Sequence, residues 1–290
     1  MSTIVVEGLT LKRKKKILIK DFSYNFLANK IYAIVGKSDS GIDYLSDCLT
    51  SIIKPTSGNI YFDGINKSFK TSKKICFLKG FKMGYSVDKI MKAMKAKYPN
   101  WDNYFCFELL NKCNINFKQT YENLSIRDKQ IVCTVCTIAS NADVKVLAYP
   151  VEGTDLKVRN DIYQALYKHH RSNPSTYIIT TNNIDEIENF TDELLLFDKG
   201  LLIESMSMDK AKRSFFELTG KKDVLKSLIS GMKIIGYEET DHELTVCLSQ
   251  KLTKDLVRKF QKYQIKINDV NIQKLLVYLL IVREKKELFN

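Results

Sequence analysis

Two glycines five residues apart, Gly36 and Gly41, are the clearest chemical signal in the chain. They follow an apolar run at residues 31–35 and precede a helix-like segment that begins at Ile42. Such a loop between a strand and a helix can bind phosphate groups, because backbone N–H groups at the helix N-terminus point at the anion. The glycines alone are a weak signal, since a tight turn also needs their backbone freedom.

The segments around this loop predict alternating strands and helices. Residues 3–9 and 17–26 alternate apolar and polar side chains, which is typical of half-buried antiparallel strands. Short apolar runs at 144–148 and 176–180 flank a helix-like stretch at 156–168, which predicts a parallel sheet built from βαβ units. Further elements are predicted as a strand at 59–63, helices within 86–114 and a closing hairpin at 194–204.

The sequence changes character from about residue 215. The predicted elements there are a helix at 223–230, strands at 232–237 and 243–248, a helix at 253–262, a strand at 264–269 and a helix at 272–284. This order predicts a small, separate α+β domain.

The charge, the cysteines and the apolar runs of the sequence argue against a nucleic-acid partner, a metal site and a membrane span. A net charge of +13 and a pI near 9.2 could suit nucleic acid, but the lysines are spread along the chain, so no nucleic-acid partner is expected. The seven cysteines lack paired ligand sets, which predicts reduced thiols and no metal site. No apolar run reaches the roughly 20 residues of a membrane span and no signal segment is visible, so we expect a cytoplasmic protein.

The order of motifs along the chain resembles that of the ATP-binding subunits of ABC transporters over about residues 1–205. The motifs are residues 54–64 (KPTSGNIYFDG), Leu124-Ser125, Pro150 with Gly153 and Asp155, residues 180–183 (TTNN) and residues 198–200 (DKG). The length and the C-terminal part look like those of exporter-type subunits.

The resemblance implies an α/β fold of the P-loop NTPase type. It predicts a mixed β-sheet with flanking helices, N-terminal antiparallel strands and a helical subdomain at about 80–140, all within a nucleotide-binding domain at 1–212. The small α+β domain would occupy 213–290.

The same resemblance indicates that the catalytic motifs have changed. The phosphate-loop lysine falls on Ile42, and the Ser or Thr that binds Mg²⁺ falls on Asp43. The Mg²⁺-orienting acid and the catalytic glutamate fall on Ala148 and Tyr149, and the switch histidine falls on Asn182. The predicted vestigial nucleotide site comprises Gly36, Ser40, Gly41, Ile42, Asp43 and Tyr44, with Ser125 of a signature that has lost its glycines.

These changes predict a pseudo-ATPase with no catalytic residues and no metal site. We expect no ATP or weak ATP binding, without Mg²⁺, because the main charge compensation for a triphosphate is missing. The predicted role is a structural or regulatory subunit at the inner face of the membrane that docks to a transmembrane subunit, with a second, catalytically competent ATPase subunit as a further partner.

Two other functions remain open. One is a working ATPase that energises export through composite sites with a partner. The other is a free-standing module of the translation or DNA-repair branches of the superfamily, which usually carry two cassettes in one chain. Aromatic residues at 81–105 are predicted either to receive a membrane subunit or to pack in the core.

Overall fold

The computed structural model describes residues 4–37, 39–65, 74–250 and 252–288, with side chains as far as Ile281. In chain order, the strands are β1 (Ile4–Arg13), β2 (Lys16–Phe26), β3 (Ile31–Val35), β4 (Ser57–Phe62), β5 (Ile75–Cys76), β6 (Val144–Ala148), β7 (Thr176–Thr181), β8 (Glu193–Asp198), β9 (Leu201–Ser207), β10 (Phe215–Lys221), β11 (Ile234–Glu239), β12 (Glu243–Ser249) and β13 (Lys266–Asp269). The helices are α1 (Ile42–Leu49), α2 (Val87–Lys97), α3 (Asn103–Lys112), α4 (Ile126–Ala139), α5 (Leu156–Ser172), α6 (Met208–Arg213), α7 (Lys222–Leu228), α8 (Lys254–Lys262) and α9 (Ile272–Leu288).

The central sheet has the strand order β5-β6-β7-β3-β8-β9. The pairs β5/β6, β6/β7, β7/β3 and β3/β8 are parallel, as the βαβ pattern predicts. Strands β3 and β7 are buried along their whole length, which explains their uninterrupted apolar character. Because parallel strands all end at one edge, the loops after β3, β5, β6 and β7 lie along the same edge, where open α/β sheets bind ligands.

A second sheet, in the order β2-β1-β4, is antiparallel and confirms the predicted N-terminal strands. The lysine run at 12–16 forms the hairpin between β1 and β2, with Arg13 opposite Lys16. Leu9 and Ile19 of this sheet share a hydrophobic core with Leu45 of α1. This packing fixes α1 beneath the loop that follows β3.

Helices α2, α3 and α4 lie between β5 and β6 in the sequence. Each begins at a side-chain cap: Ser86, Asp102 and Ser125 accept hydrogen bonds from backbone N–H groups one turn later. A 3₁₀ turn at Tyr121–Asn123 precedes α4. Within the described part of the chain, no helix is long and apolar enough to cross a bilayer.

The chain divides into two compact units, one formed by Met1–Asn182 and Asn189–Leu202 and the other by Asn183–Glu188 and Ile203–Asn290. The second unit contains a four-stranded antiparallel sheet in the order β11-β12-β10-β13. With α7 and α8, its chain order is βαββαβ, the arrangement of the ferredoxin-like motif.

Strand β10 is the element of this sheet that the sequence patterns did not predict. Its first four residues, Phe215 to Leu218, are all buried, so they lack the alternation of a half-buried strand. Strand β10 pairs with β12 and β13, which lie far along the chain. Its conformation is therefore decided by distant partners.

Candidate functional site

The loop between β3 and α1 closes tightly around the side chain of Ser40. A Cβ atom added to Gly36 would lie 2.4 Å from the Ser40 Oγ. At Gly41 the backbone has a φ of +94°, and an added Cβ would lie 2.3 Å from the carbonyl oxygen of Leu18. Both glycines are therefore required by the shape of the loop, irrespective of any ligand.

Ser40 provides an observation that the shape of the loop does not explain. Its backbone N–H donates to the carbonyl of Lys37 at 2.9 Å, and its own carbonyl accepts from the Gly200 N–H at 2.7 Å. Its Oγ is fully buried and has no hydrogen-bond partner among the described residues. A buried hydroxyl without a partner is unfavourable, and a phosphate oxygen in the loop would satisfy it.

The first residues of α1 have separate roles. Ile42 is 1% exposed and belongs to the hydrophobic core, so it presents no polar group to the loop. Partial burial raises the pKa of Asp43, while the nearby Lys79 ammonium and a hydrogen bond from the Tyr149 hydroxyl lower it in part. The Tyr44 ring packs against the core, and the guanidinium of Arg13 lies 5.6 Å from its centroid.

The end of β6 brings Tyr149 to this helix. Tyr149 has a φ of +47°, and its N–H donates to the Thr180 carbonyl at 3.0 Å. Burial, followed by the charge of Asp43, raises the pKa of the Tyr149 hydroxyl, so this group stays protonated beside that carboxylate. The preceding Ala148 carbonyl accepts a 2.9 Å hydrogen bond from Gln130 of α4, a contact that the sequence did not indicate.

Two other residues of the predicted site, Asn182 and Ser125, lie outside the contact between Asp43 and Tyr149. Asn182 is exposed and lies directly after β7, at the same sheet edge as the loop. Ser125 is the N-cap of α4, and its described hydrogen bonds, to the N–H groups of Asp128 and Lys129, stay within that helix. The structure therefore brings Asp43 and Tyr149 into contact and gives Ser125 a capping role.

Lys79 is a site residue that sequence reasoning missed. It lies three residues after the end of β5, and its Nζ is 2.5 Å from the Oδ1 of Asp47 in α1. Its position just after a short apolar run does not distinguish it from the other lysines of the chain. Its approach to α1 depends on the parallel pairing of β5 with β6.

The donor atoms at the loop fit a magnesium nucleotide. Ser40 offers the unpaired buried hydroxyl described above, and Asp43 offers carboxylate oxygens of the kind that Mg²⁺ prefers. No group of three or more acidic, histidine or cysteine side chains is placed to hold a metal within the described residues.

Comparison with known proteins identifies relatives of one kind. No protein-family model matches the chain. It is 24% identical over 206 residues to the ABC transporter ATP-binding protein YtrB of Bacillus subtilis, covering 69% of this chain and 70% of that protein. It is 22% identical over 263 residues to the energy-coupling factor transporter ATP-binding protein EcfA2 of Staphylococcus epidermidis, covering 83% and 84%.

A solved structure with the same fold is the dimeric, post-hydrolysis state of an ATP-binding cassette bound to ADP and phosphate. The TM-score is 0.61 at 19% identity, covering 71% of this chain and 98% of that one. The expectation of little or no ATP and no Mg²⁺ is wrong, because these relatives are ATP-binding proteins and P-loop folds hold nucleotide together with Mg²⁺. The chain therefore has the fold of ABC ATP-binding cassettes, and its sequence is similar to those of ABC transporter ATP-binding proteins.

Proposed function

We propose that this chain is the ATP-binding subunit of an ABC transporter and binds ATP with Mg²⁺ at residues 36–43. The observation that carries the proposal is the buried Ser40 hydroxyl, which has no protein partner inside a loop that opens onto the N-terminus of α1. The names of the relatives support it, since both are transporter ATP-binding proteins.

The residues of the chain have distinct roles in this proposal. Backbone N–H groups at the N-terminus of α1 bind the phosphates. Asp43 provides a carboxylate for Mg²⁺, and the Tyr149 hydroxyl orients that carboxylate through its hydrogen bond. Bound Mg²⁺ would neutralise negative charge on the phosphates.

The proposed partners are a transmembrane subunit and a second ATP-binding cassette. The solved cassette is dimeric, and the EcfA2 relative is part of an energy-coupling factor transporter. We place this chain at the inner face of the membrane, where it would energise transport through nucleotide sites shared with the second cassette. That the transporter is an exporter remains a prediction from the sequence.

The test is equilibrium binding of ATP, with and without Mg²⁺, to the wild-type protein and to Ser40→Ala. The alanine variant removes the unpaired hydroxyl, so it should bind ATP more weakly and yet melt at the same or a higher temperature without nucleotide. A triphosphate without adenine serves as the control for base recognition. Absence of ATP binding by the wild-type protein at millimolar concentrations would refute the proposal.

A second candidate function is that of a structural or regulatory subunit that binds nucleotide without hydrolysing it. The favouring observation is the contact between Tyr149 and Asp43, which puts a protonated hydroxyl where the resemblance places a catalytic carboxylate. Phosphate release by the complex with its membrane subunit separates the two roles. Release that responds to the transported substrate supports the first role, whereas ATP binding without release supports the second.

A further inference from the structure

The phosphate loop lacks a cation of its own at the start of α1. The first helical position is Ile42, which is buried in the core. The next residue, Asp43, adds a negative charge. Because a triphosphate is highly anionic, its binding beside a carboxylate requires positive charge from another part of the chain as well as from the metal.

Lys79 brings such a charge to α1 from the loop after β5. Its Nζ is paired with the Oδ1 of Asp47, one helical turn beyond Asp43, and its positive charge lowers the pKa of Asp43 against the larger effect of burial. The Lys79 side chain is 47% exposed, whereas that of Asp47 is 9% exposed. The lysine side chain is therefore accessible to a ligand, whereas its partner is largely buried.

We propose that Lys79 supplies the phosphate-binding cation that Ile42 cannot provide, with Asp47 holding the ammonium beside α1 when no nucleotide is bound. This inference rests on the proposed function, because it assumes that ATP binds at residues 36–43. It adds a specific residue from outside the glycine loop and identifies the phosphates, not the adenine, as the group that this residue recognises.

Two other cations near the loop are less suited to this role. Lys37 lies in the loop itself, but its side chain is exposed and makes no described contact with α1. Arg13 stacks over the Tyr44 ring at 5.6 Å, on the N-terminal hairpin. Among these three, Lys79 is the residue with a side-chain ion pair to α1.

The experiment measures equilibrium binding of MgATP, tripolyphosphate and adenosine to the wild-type protein and three variants. Lys79→Met removes the charge and retains the length of the side chain, while Lys79→Arg retains the charge. Lys74→Met is the matched control, because Lys74 is also exposed, precedes β5 and has its own ion pair with Asp63 at 3.2 Å. Melting without ligand verifies that each variant is folded.

We expect Lys79→Met to weaken binding of MgATP and of tripolyphosphate by about tenfold or more, as loss of a charge-assisted hydrogen bond implies. The affinities of Lys79→Arg and Lys74→Met for these two ligands should stay within about threefold of the wild type, because the first retains the charge and the second removes only an exposed one. Adenosine binding should not respond to any of the variants.

Two results would overturn the inference and leave the proposed function standing. One is that Lys79→Met binds MgATP as tightly as the wild type does. The other is that Lys74→Met loses as much MgATP affinity as Lys79→Met, which would show a general effect of charge. Failure of the wild-type protein to bind MgATP would overturn the proposed function and this inference with it.

Discussion

The Tyr149 hydroxyl lies beside the carboxylate of Asp43, bringing the end of β6 to the first turn of α1. Both residues stand at positions where the ABC resemblance implies catalytic groups, a glutamate and a hydroxyl that binds Mg²⁺. The contact is possible because β6 is parallel to β7, and β7 to β3, so the loops that follow β6 and β3 share one edge.

The first prediction concerns Tyr149→Phe, which removes this hydroxyl and retains the ring. The pKa of Asp43 should rise further, because the hydrogen bond from Tyr149 lowers it. The free energy of unfolding should fall by about 1 kcal/mol, the usual contribution of such a bond. Carboxyl titration by NMR and urea denaturation provide the measurements.

Tyr104→Phe is the control for that experiment, because Tyr104 is 75% exposed. It should leave both the stability and the Asp43 titration unchanged. An Asp43 titration that is identical in Tyr149→Phe and the wild type would contradict the contact.

The second prediction compares alanine substitution at two glycines with positive φ. Gly64→Ala should cost about 1 kcal/mol of stability through backbone strain alone, because no described atom lies within 4 Å of the added Cβ. Gly41→Ala adds a Cβ at 2.3 Å from the Leu18 carbonyl oxygen, so it should cost clearly more. Equal melting temperatures for the two variants would show that the loop at 36–41 relaxes freely.

The third prediction concerns the pH dependence produced by His169. This side chain is 5% exposed, and neither ring nitrogen has a hydrogen-bond partner among the described residues. Burial, together with the nearby charge of Lys145, lowers its pKa to about 4. Between about pH 6.5 and 4 the unfolded chain therefore binds a proton that the folded chain does not, so folding stability falls as the pH falls.

His169→Leu should reduce this pH dependence. Between pH 7.5 and pH 5, the unfolding free energy of the wild type should fall by on the order of 1–2 kcal/mol more than that of the leucine variant. Chemical denaturation at the two pH values measures it. Parallel stability curves for the two proteins would mean that His169 titrates normally.

The fourth prediction is that residues 213–290 fold on their own. Their core includes Phe216, Leu225, Val246 and Phe260, all within this segment. The isolated segment should lose its far-UV circular dichroism in one cooperative urea transition, and Phe260→Ala should weaken it by about 3–5 kcal/mol or abolish folding. A gradual, non-cooperative loss of signal would show that the segment depends on the rest of the chain.

Local patterns in the sequence were sufficient for much of the fold. The apolar run at 31–35 and the two glycines that follow predicted the strand, loop and start of α1, because each depends on neighbouring residues. The alternation of apolar runs and a helix-like stretch at 144–180 predicted the parallel sheet, and the order of the later motifs predicted the similarity to ABC ATP-binding proteins. The same local signals could not find β10, whose buried run is stabilised by β12 and β13.

The chemistry of the site was decided by the tertiary structure. The sequence predicted that Ile42, Asp43 and Tyr149 replace family residues, and from their types alone we expected that nucleotide binding was lost or weak. It did not indicate that Lys79 would lie 2.5 Å from Asp47 or that Tyr149 would bond to Asp43. The residues in those contacts follow β3, β5 and β6, which are distant in the chain, and only the parallel pairing of these strands through β7 brings the segments after them to one edge.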